Sequence, residues 1–498
     1  MNAPAETKPQ AEPQLGFPPL NWRRAVLLAL VATACFHAAY TPAQSGPLAL
    51  LIIGYVACLV QLARLRTTRQ SFYAGLLAGL VCFAPQLECF WRIFGPGAIA
   101  LWLVLALWIA LFLALAHLAL ARLGLKRGAL LIPFLWTGLE YFRSELYYLK
   151  FSWLNVGYAF AGFPMTPTSF LGIYGIGFAV VAVVIVLPGC WRTVLRKLTL
   201  LEFIVTVIVV AILAALLLPA SSHLPKGNLV VAGAQLEFPS EQDITKTLDR
   251  ILSRQGQFRV PGIRVGTNVD LIVLSEYTLD GPPTAPLQNW CREHGKFLIV
   301  GGKDAAPGNN YYNTAFVIST NGEVVFKQVK SVPIQFFKDG LPAPEQKVWE
   351  SPWGKIGICI CYDLSYTRVT DELVRQGAQM LIVPTMDVAD WGRHQHELHA
   401  RVAPVRAAEY GIPIFRVASS GISQGVTRSG WVTARAPFGG EGEMLFFGAN
   451  LNPQRHGSLP LDRWLAPFCV GVTGLFVAWL AVCGWRRMRN ERNNGNPD

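Results

Sequence analysis

Long apolar segments fill most of the first half of this chain and recur near its end. A membrane-spanning helix needs about 20 largely apolar residues, because about 1.5 Å of rise per residue must cross roughly 30 Å of hydrocarbon. Only 15% of the 498 residues are charged, against roughly 25% in a soluble domain. Eight segments are candidates, of which the fifth is the shortest: 24–41, 46–63, 72–91, 98–121, 128–142, 168–190, 200–220 and 464–485. The sequence therefore predicts a polytopic membrane protein.

Basic residues lie in clusters between these segments and predict an orientation. The net charge of +12 is compatible with nucleic-acid binding, but the location of the charges argues against such a partner. With eight spans, all the clusters fall on one side, which the positive-inside rule assigns to the cytoplasm. Both termini are then cytoplasmic, and the long segment after the seventh span faces the other side, which in a bacterial plasma membrane is the periplasm or the cell exterior. The clusters are Arg23/Arg24, Arg64/Arg66/Arg69, Arg122/Lys126/Arg127, Arg192/Arg196/Lys197 and Arg486/Arg487/Arg489/Arg492.

The remaining long segment, from about 227 to 455, alternates between strand-like and helix-like runs. Such alternation is typical of a layered α/β domain. The strand-like runs are 229–237, 270–278, 297–302, 313–319, 324–330, 355–361, 379–384 and 412–418, and the helix-like runs are 240–256, 284–294, 366–377 and 394–410. The predicted organisation is a polar tail (1–22), a membrane domain with seven spans (23–226), the α/β domain (227–455), a last span (456–487) and a second tail (488–498).

Three of the ten cysteines lie in the α/β segment: Cys291, Cys359 and Cys361. Cys359 and Cys361 alternate with isoleucine on one strand-like run and are therefore predicted to share a face. No disulfide framework is evident, and a Cys-x-Cys pair without a second pair of ligands is a weak metal signal. Cys359 is interpreted as a small buried residue.

A cysteine, a glutamate and a lysine in this segment suit thioester chemistry. A free thiol has a pKa of about 8.5, so Cys361 needs a base such as Glu276 to act as a nucleophile at neutral pH. A lysine ammonium stabilises the oxyanion of the tetrahedral intermediate. Lys330 is favoured for this role because it directly precedes Val-Pro, although Lys327, on the opposite face of the same run, remains an alternative. These three residue types alone are not specific.

The surrounding motifs are more specific. Residues 357–363 read Gly-Ile-Cys-Ile-Cys-Tyr-Asp, and residues 385–392 read Thr-Met-Asp-Val-Ala-Asp-Trp-Gly. Further along come Gln395-His396, Arg406-Ala-Ala-Glu409 and Arg416. These motifs resemble the nitrilase superfamily. With Phe-Ser-Trp-Leu at 151–154 and Gly-Ile-Tyr-Gly at 172–175, nearly the whole chain resembles its membrane-embedded branch, the bacterial apolipoprotein N-acyltransferases. The resemblance implies an α-β-β-α sandwich attached to a bundle of about eight spans.

The resemblance also implies roles for individual residues. Cys361 becomes the acyl-accepting nucleophile, Glu276 the general base and Lys330 the oxyanion-stabilising cation. The supporting or binding residues are Tyr362, Asp363, Asp387, Trp391, Asp339 and Trp153. Asp387 and Trp391 have an alternative role in capping and packing a loop. The aromatic segment around Trp153 is either an interfacial belt or a segment that lines a path for lipid.

The segment after Lys330 departs from the family. It reads Pro-Ile-Gln-Phe-Phe-Lys-Asp-Gly at 333–340 where the family has Pro-Phe-Gly-Glu. Either Asp339 substitutes for that glutamate from a rearranged loop, or the acid is absent and the acyl donor or acceptor differs. Met386, in place of the family's asparagine, raises the same question. His396 and His399 are interpreted as solvated or packed residues, since no third metal ligand accompanies them, and Arg401, Arg406 and Glu409 as helix-face ion pairs.

The implied activity is N-acylation. A fatty acyl chain would pass from a glycerophospholipid, through a thioester on Cys361, to the N-terminal amine of an S-diacylglyceryl-cysteine lipoprotein. The implied partners are the bilayer, the phospholipid donor and the lipoprotein acceptor; no cofactor or metal is required, and the chain is predicted to be a monomer. The alternatives are a membrane-anchored amidase that uses water, a divergent paralogue with another donor or acceptor, and a non-catalytic scaffold that binds lipoproteins.

Overall fold

Apolar helices make up the first half of the described chain. The computed structural model describes residues 19–41, 46–162, 167–186, 228–254, 268–452 and 454–494. Within these ranges four helices are long and apolar enough to cross a membrane: Trp22–Ala39, Gly97–Leu146, Thr168–Val186 and Asp462–Asn490. A shorter apolar helix covers Gly46–Leu62. The predicted span 200–220, the end of the predicted span 168–190 and the basic cluster at 192–197 lie outside the described residues.

In the described part of the chain, six helices precede the α/β domain. They are α1 (Trp22–Ala39), α2 (Leu51–Leu62), α3 (Thr68–Gln86), α4 (Cys89–Phe94), α5 (Gly97–Tyr141) and α6 (Thr168–Val186). Helix α3 covers much of the predicted span 72–91, with Pro85 inside its last turn. Two 3₁₀ turns, Gly46–Leu50 and Val156–Gly162, and a π turn, Phe142–Leu146, connect these helices.

Helix α5 folds back on itself at Gly124. This glycine has φ 77°, in the left-handed region. The rings of Phe112 and Trp136 are 4.8 Å apart, whereas a straight helix would separate these positions by about 36 Å. A Cβ atom on Gly128 would come within 2.5 Å of the Ala119 carbonyl oxygen. The two predicted segments 98–121 and 128–142 therefore form the two antiparallel arms of one hairpin.

The α/β domain contains two six-stranded sheets. One has the strand order β12-β1-β2-β3-β4-β5 and the other β11-β10-β9-β8-β7-β6. The strands are β1 (Leu229–Ala234), β2 (Leu271–Val273), β3 (Phe297–Ala306), β4 (Asn310–Ile318), β5 (Val324–Val329), β6 (Val348–Ser351), β7 (Gly354–Ile358), β8 (Met380–Thr385), β9 (Ile414–Ala418), β10 (Ser423–Val426), β11 (Val432–Ala436) and β12 (Met444–Ala449). The predicted α/β layering is confirmed.

Helices cover the outer face of each sheet, as expected for an α-β-β-α sandwich. The domain helices are α7 (Glu241–Arg254), α8 (Ala285–His294), α9 (Thr367–Arg375), α10 (Arg393–Ala400) and α11 (Val402–Tyr410), and α12 (Asp462–Asn494) follows the domain. The apolar residues between the sheets include Val231, Ile299, Ile358 and Val417. Helices α7 and α8 pack on the first sheet. Helices α9 to α11 lie between the second sheet and the membrane helices, in one continuous core.

A break in α6 joins the α/β domain to the membrane helices. Gly172 adopts φ 72° and interrupts the helix, so that a new helix N-terminus begins at Ile173. The Ile173 N–H donates to Glu409 on α11 (3.0 Å), and the Tyr174 N–H donates to Asp462 on α12 (2.9 Å). Carboxylates are favourable at such a site because the first N–H groups of a helix have no partner within it. The two halves of the molecule are therefore connected by specific hydrogen bonds.

Candidate active site

Cys361 occupies a sharp turn between a strand and a helix. Strand β7 ends at Ile358, a 3₁₀ turn covers Cys361–Ser365, and α9 follows. Cys361 has φ 53°, which is uncommon for a residue with a side chain and is found at functional sites. The prediction that Cys359 and Cys361 share a face is wrong, because the strand ends before Cys361. Cys359 packs on the side of the membrane helices, and Cys361 contacts the core between the sheets.

Lys330 lies at the end of β5 between two carboxylates. Its Nζ is 2.8 Å from Glu276 Oε1 and 2.7 Å from Asp339 Oδ2. The Lys330 side chain is fully buried. Lys327, in contrast, is half exposed and pairs with Asp304 at 2.6 Å. Of the two lysines considered from the sequence, the structure brings only Lys330 to Glu276.

Asp339 reaches this cluster from the loop that departs from the family pattern. Its carboxylate accepts hydrogen bonds from the Ile334 N–H (2.7 Å), the Tyr277 hydroxyl (2.8 Å) and Asn313 Nδ2 (3.0 Å). Gly340, with φ 80°, allows the turn that directs Asp339 inward. Of the two sequence alternatives, the structure therefore favours an acid supplied by the rearranged loop.

Glu276 accepts hydrogen bonds at both oxygens. Besides Lys330, Asn313 Nδ2 donates to Oε1 (2.6 Å) and the Met386 N–H donates to Oε2 (2.7 Å). The Met386 carbonyl in turn accepts a weak hydrogen bond from the Cys361 thiol (3.6 Å). Position 386 therefore contributes backbone groups to the cluster, which a methionine supplies as well as an asparagine.

Burial and charge set the protonation of the cluster. Burial raises the pKa of Cys361 well above its usual value, and the neighbouring Glu276 charge raises it further, against the opposing effect of Lys330. Burial also raises the pKa of Glu276, which Lys330 lowers and Asp339 raises. Although burial alone would lower it, the two carboxylates raise the pKa of Lys330 well above its usual value. The resting cluster thus holds a thiol beside a cationic lysine.

Asp363 and Tyr362 hold the turn that carries Cys361. Asp363 accepts hydrogen bonds from the N–H groups of Ser331 (3.1 Å), Val332 (2.7 Å) and Ile360 (3.2 Å). These bonds connect the turn to the segment that follows Lys330. The Tyr362 hydroxyl donates to the Lys150 carbonyl (3.1 Å) in the segment after α5. Asp363 therefore positions the turn against the lysine segment, and Tyr362 positions it against the membrane domain.

Cys361 opens into a cavity of about 580 Å³ between the two halves of the molecule. Its walls are mainly apolar and come from α4, α5, the segment around Trp153 and the loop after Lys330. They include Phe90, Phe94, Leu101, Val104, Leu105, Trp153, Phe336, Phe337 and Trp391. A ligand pocket of a few hundred Å³ with apolar walls and few polar groups is typical of small-molecule and lipid sites.

Asp387 and Trp391 lie at the cavity with different surroundings. Asp387 is fully buried, and its carboxylate contacts Arg416 Nη2 (2.5 Å) and His399 Nδ1 (2.8 Å). Burial alone would raise its pKa, but His399 and Arg416 lower it well below the usual range. Trp391 lies in a 3₁₀ turn, with its ring 6.2 Å from that of Phe337. Asp387 is thus an ionised anchor, and Trp391 a wall residue.

Several groups at the site were not predicted from the sequence. Asn313, Gln395, His399 and the Met386 N–H reach the cluster or the cavity. A signal for Asn313 was present, since it lies at the start of a strand-like run that is apolar from Ala315 to Ile318. His399, interpreted as solvated or packed, is buried and also lines the cavity. Among the residues that the structure describes, no group of three His, Cys, Asp or Glu side chains could hold a metal ion.

Comparisons with known proteins agree with this architecture. The family model described as carbon-nitrogen hydrolase matches residues 262–441, so the two-sheet domain is of the carbon-nitrogen hydrolase type. A second model, described as the N-terminal domain of apolipoprotein N-acyltransferase, matches residues 32–186. The chain is thus similar to apolipoprotein N-acyltransferases in its first part and to carbon-nitrogen hydrolases in its second.

Individual relatives extend over most of the chain. The apolipoprotein N-acyltransferase of Geobacter metallireducens is 24% identical, over 83% of this chain and 87% of the relative. That of Azotobacter vinelandii is 26% identical, over 95% of this chain and 96% of the relative. A solved structure, Nit3 of Saccharomyces cerevisiae from the nitrilase superfamily, aligns with 47% of this chain and 94% of its own, at 21% identity and a TM-score of 0.38.

Proposed function

We propose that this membrane protein is an N-acyltransferase that moves a fatty acyl chain from a glycerophospholipid to the N-terminal amine of an S-diacylglyceryl-cysteine lipoprotein. The observation that carries the proposal is the position of Cys361 at an apolar cavity built jointly by membrane helices and catalytic-domain loops. A water-soluble amide would not need walls supplied by α4 and α5. The names of the relatives that match most of the chain support the same activity.

In the first half-reaction, Cys361 attacks the ester carbonyl of the phospholipid. Glu276 accepts the thiol proton as the sulfur–carbon bond forms, and the Lys330 ammonium stabilises the oxyanion. The ester carbon–oxygen bond then breaks. The departing glycerol oxygen takes the proton from Glu276, and a lysophospholipid leaves. Asn313 and the Met386 N–H keep the Glu276 carboxylate oriented throughout.

In the second half-reaction, the lipoprotein amine attacks the thioester. Lys330 again stabilises the oxyanion, the carbon–sulfur bond breaks, and the thiol is regenerated as an amide forms. Asp339 would hold Lys330 in place. Asp387 would anchor the loop beside Cys361, and Trp153 and Trp391 would bound the space for the acyl chain. One site used by two substrates in turn implies ping-pong kinetics.

The proposed activity is consistent with a defined topology in the membrane. We infer eight spans, seven within residues 23–226 and one within 456–487, with the catalytic domain of residues 227–455 on the periplasmic side. Both tails, 1–22 and 488–498, are then cytoplasmic. The protein would act as a monomer in the bacterial inner membrane, since the chain itself supplies every group of the proposed site. The hairpin at Gly124 supports counting 98–121 and 128–142 as separate spans.

The identity of the acceptor is tested by competition for the acyl-enzyme. Purified protein is loaded with a labelled phospholipid in micelles, and a synthetic S-diacylglyceryl-cysteine peptide is then added. We expect labelled amide on the peptide to form much faster than free fatty acid. If free fatty acid forms at the same rate with and without peptide, water is the acceptor and the protein is a membrane-anchored amidase.

The rate of acylation is expected to fall as the pH is lowered. Glu276 accepts a proton only when it is ionised, and burial raises its pKa. The fall in rate on the acidic side of the pH–rate profile, its acidic limb, therefore lies above the usual carboxyl pKa of about 4.3. The Asp339 charge contributes to this rise. Asp339→Asn should therefore shift the limb to lower pH.

The matched control for this shift is Asp304→Asn. Asp304 pairs with Lys327 away from the cluster, so its replacement should leave the limb in place. The measurement is the initial rate of thioester formation against pH for the three proteins. If the acidic limb of the Asp339→Asn profile coincides with that of the wild type, the Asp339 charge has no effect on the pKa of Glu276.

A further inference from the structure

Two buried polar side chains on α10 line the cavity. Gln395 and His399 line the cavity together with Cys361, and they are only 4% and 2% exposed. The His399 ring stacks on Trp153, with ring centres 4.7 Å apart and an angle of 16° between the planes. Trp153 also contacts the ring of Tyr362, the neighbour of Cys361, at 5.8 Å. His399 is therefore held in a fixed orientation near the reacting sulfur.

The hydrogen bonds of His399 define its tautomer. Nδ1 lies 2.8 Å from Asp387 Oδ1, and an ionised carboxylate can only accept, so Nδ1 carries the hydrogen. Arg416 Nη2 directs its hydrogen to Asp387 Oδ2 at 2.5 Å, and its 3.1 Å approach to Nδ1 is a secondary contact. Nε2 is then a free acceptor. It has no hydrogen-bond partner among the described residues.

Gln395 presents a second free acceptor, four residues before His399 on the same helix. Its Nε2 is directed to Asp387 Oδ1 at 3.4 Å, which leaves Oε1 without a partner in the described part of the chain. A ligand that satisfies two acceptors must bring N–H or O–H donors. A primary ammonium group has three N–H donors and no acceptor, so it is complementary to this pair.

We propose that Gln395 Oε1 and His399 Nε2 bind the α-ammonium group of the acceptor, and that His399 acts as the general base that converts it to a nucleophilic amine. The inference rests on the proposed acyltransferase function and assigns the step that the cluster around Glu276 leaves open. An α-amine has a pKa of about 7.7–8.0 and is largely protonated at neutral pH. The ammonium nitrogen must lose two protons, and Glu276 can hold only one at a time, so the first proton needs a second acceptor.

The ammonium nitrogen loses two protons during the transfer. His399 Nε2 takes one proton from the ammonium, and the freed electron pair attacks the thioester carbonyl. As the carbon–sulfur bond breaks, the nitrogen loses its second proton to Glu276, which passes it to the departing Cys361 thiolate. His399 then releases its proton to solvent. The products are an amide, a free thiol and one proton.

The surroundings keep His399 ready to accept a proton. The groups facing it are Asp387 from the loop after β8, Arg416 from β9 and His396 from its own helix. Burial lowers the pKa of His399, Asp387 raises it, and Arg416 and His396 lower it. The net lowering leaves the imidazole neutral at neutral pH, while Asp387 stabilises the imidazolium that forms during the step.

The test measures discharge of the acyl-enzyme in the full-length protein. His399→Asn keeps an N–H donor for Asp387 and lacks a basic nitrogen. Gln395→Leu removes the second acceptor. His394→Asn is the matched control, because His394 lies on the same helix and bonds to Gln86 on α3. Each protein is acylated in phospholipid micelles and mixed with the synthetic S-diacylglyceryl-cysteine peptide or with hydroxylamine, an amine that is uncharged at neutral pH.

We expect His399→Asn to slow discharge by the peptide about 100-fold relative to acylation, with discharge by hydroxylamine close to that of the control. Gln395→Leu should raise the KM for the peptide more than it lowers kcat. Peptide discharge at the control rate in His399→Asn would overturn the inference, and so would an equal slowing with both amines, which indicates a merely structural role. A wild-type protein that forms no thioester would instead refute the proposed function.

Discussion

Replacing Lys330 with methionine is expected to abolish acylation and to destabilise the catalytic domain by about 3–5 kcal/mol. The side chain is fully buried between Glu276 and Asp339. Its removal leaves two carboxylates close together without a cation, in a site closed to water. The oxyanion of the intermediate also loses its donor, which alone costs about 10²–10³ in rate. Thermal unfolding in detergent and thioester formation below the unfolding temperature measure the two effects separately.

The pH dependence of this variant gives a second check. Without Lys330, burial and mutual repulsion hold the pKa of both carboxylates above their unfolded values. The stability of such groups is complete at low pH and is lost as the pH rises through the raised pKa. The stability difference from the wild type should therefore be smaller at about pH 5 than at about pH 8.

Lys327→Met is the matched control for Lys330→Met. Lys327 lies three residues earlier and is half exposed in its pair with Asp304, so its loss should cost less than about 1 kcal/mol and leave the rate unchanged. If Lys327→Met were inactive and Lys330→Met active, the cation of the mechanism would be Lys327 and the proposed site would be wrong.

Arg463→Met is expected to weaken the attachment of the catalytic domain to the membrane helices by about 3–5 kcal/mol. Arg463, at the start of α12, contacts Asp371 on α9 (2.8 Å), Glu409 on α11 (3.0 Å) and its neighbour Asp462 (2.6 Å). Burial alone would raise the pKa of Glu409, but Arg463 and Arg406 lower it to about 2. Removing Arg463 would leave buried carboxylates with fewer cations.

The functional effect follows from the position of the cavity. Its walls come from both halves of the molecule, so looser attachment should reduce acylation by phospholipid even where Cys361 remains reactive. Arg375→Met is the control: Arg375 also approaches Asp371, at 3.9 Å, but is half exposed, so the expected change is below about 1 kcal/mol. Equal unfolding temperatures for Arg463→Met and the wild type would show that this network does not hold the domains together.

The central elements of the α/β domain could be predicted from the sequence because burial marks them strongly. Strands such as β1 and β8 are continuous runs of apolar residues, and their predicted ranges overlap the observed ones. Strands β10 and β11 were not predicted, because residues such as Gln424 and Arg435 give them no clear apolar pattern. Strand β10 is placed by its pairing with β9, and β11 by its pairing with β10, which only the folded chain displays.

The details of the site depend on backbone conformation that local sequence does not specify. A run of alternating Ile and Cys predicted a strand through Cys361, yet the chain turns at φ 53°. Likewise, whether Asp339 reaches Lys330 depends on the path of the loop, including φ 69° at Phe336 and φ 80° at Gly340. The role of His399 required its contacts with Trp153 and Asp387, which are distant in sequence.

The central claim is that Cys361 takes an acyl chain from phospholipid, and intact mass spectrometry tests it most directly. Wild-type protein and Cys361→Ala are purified and incubated in phospholipid micelles under identical conditions. The account predicts a single added fatty-acyl mass on the wild type, removed by the S-diacylglyceryl-cysteine peptide, and none on Cys361→Ala. An unmodified wild type that is folded in the presence of phospholipid, or an equal adduct on both proteins, would contradict it.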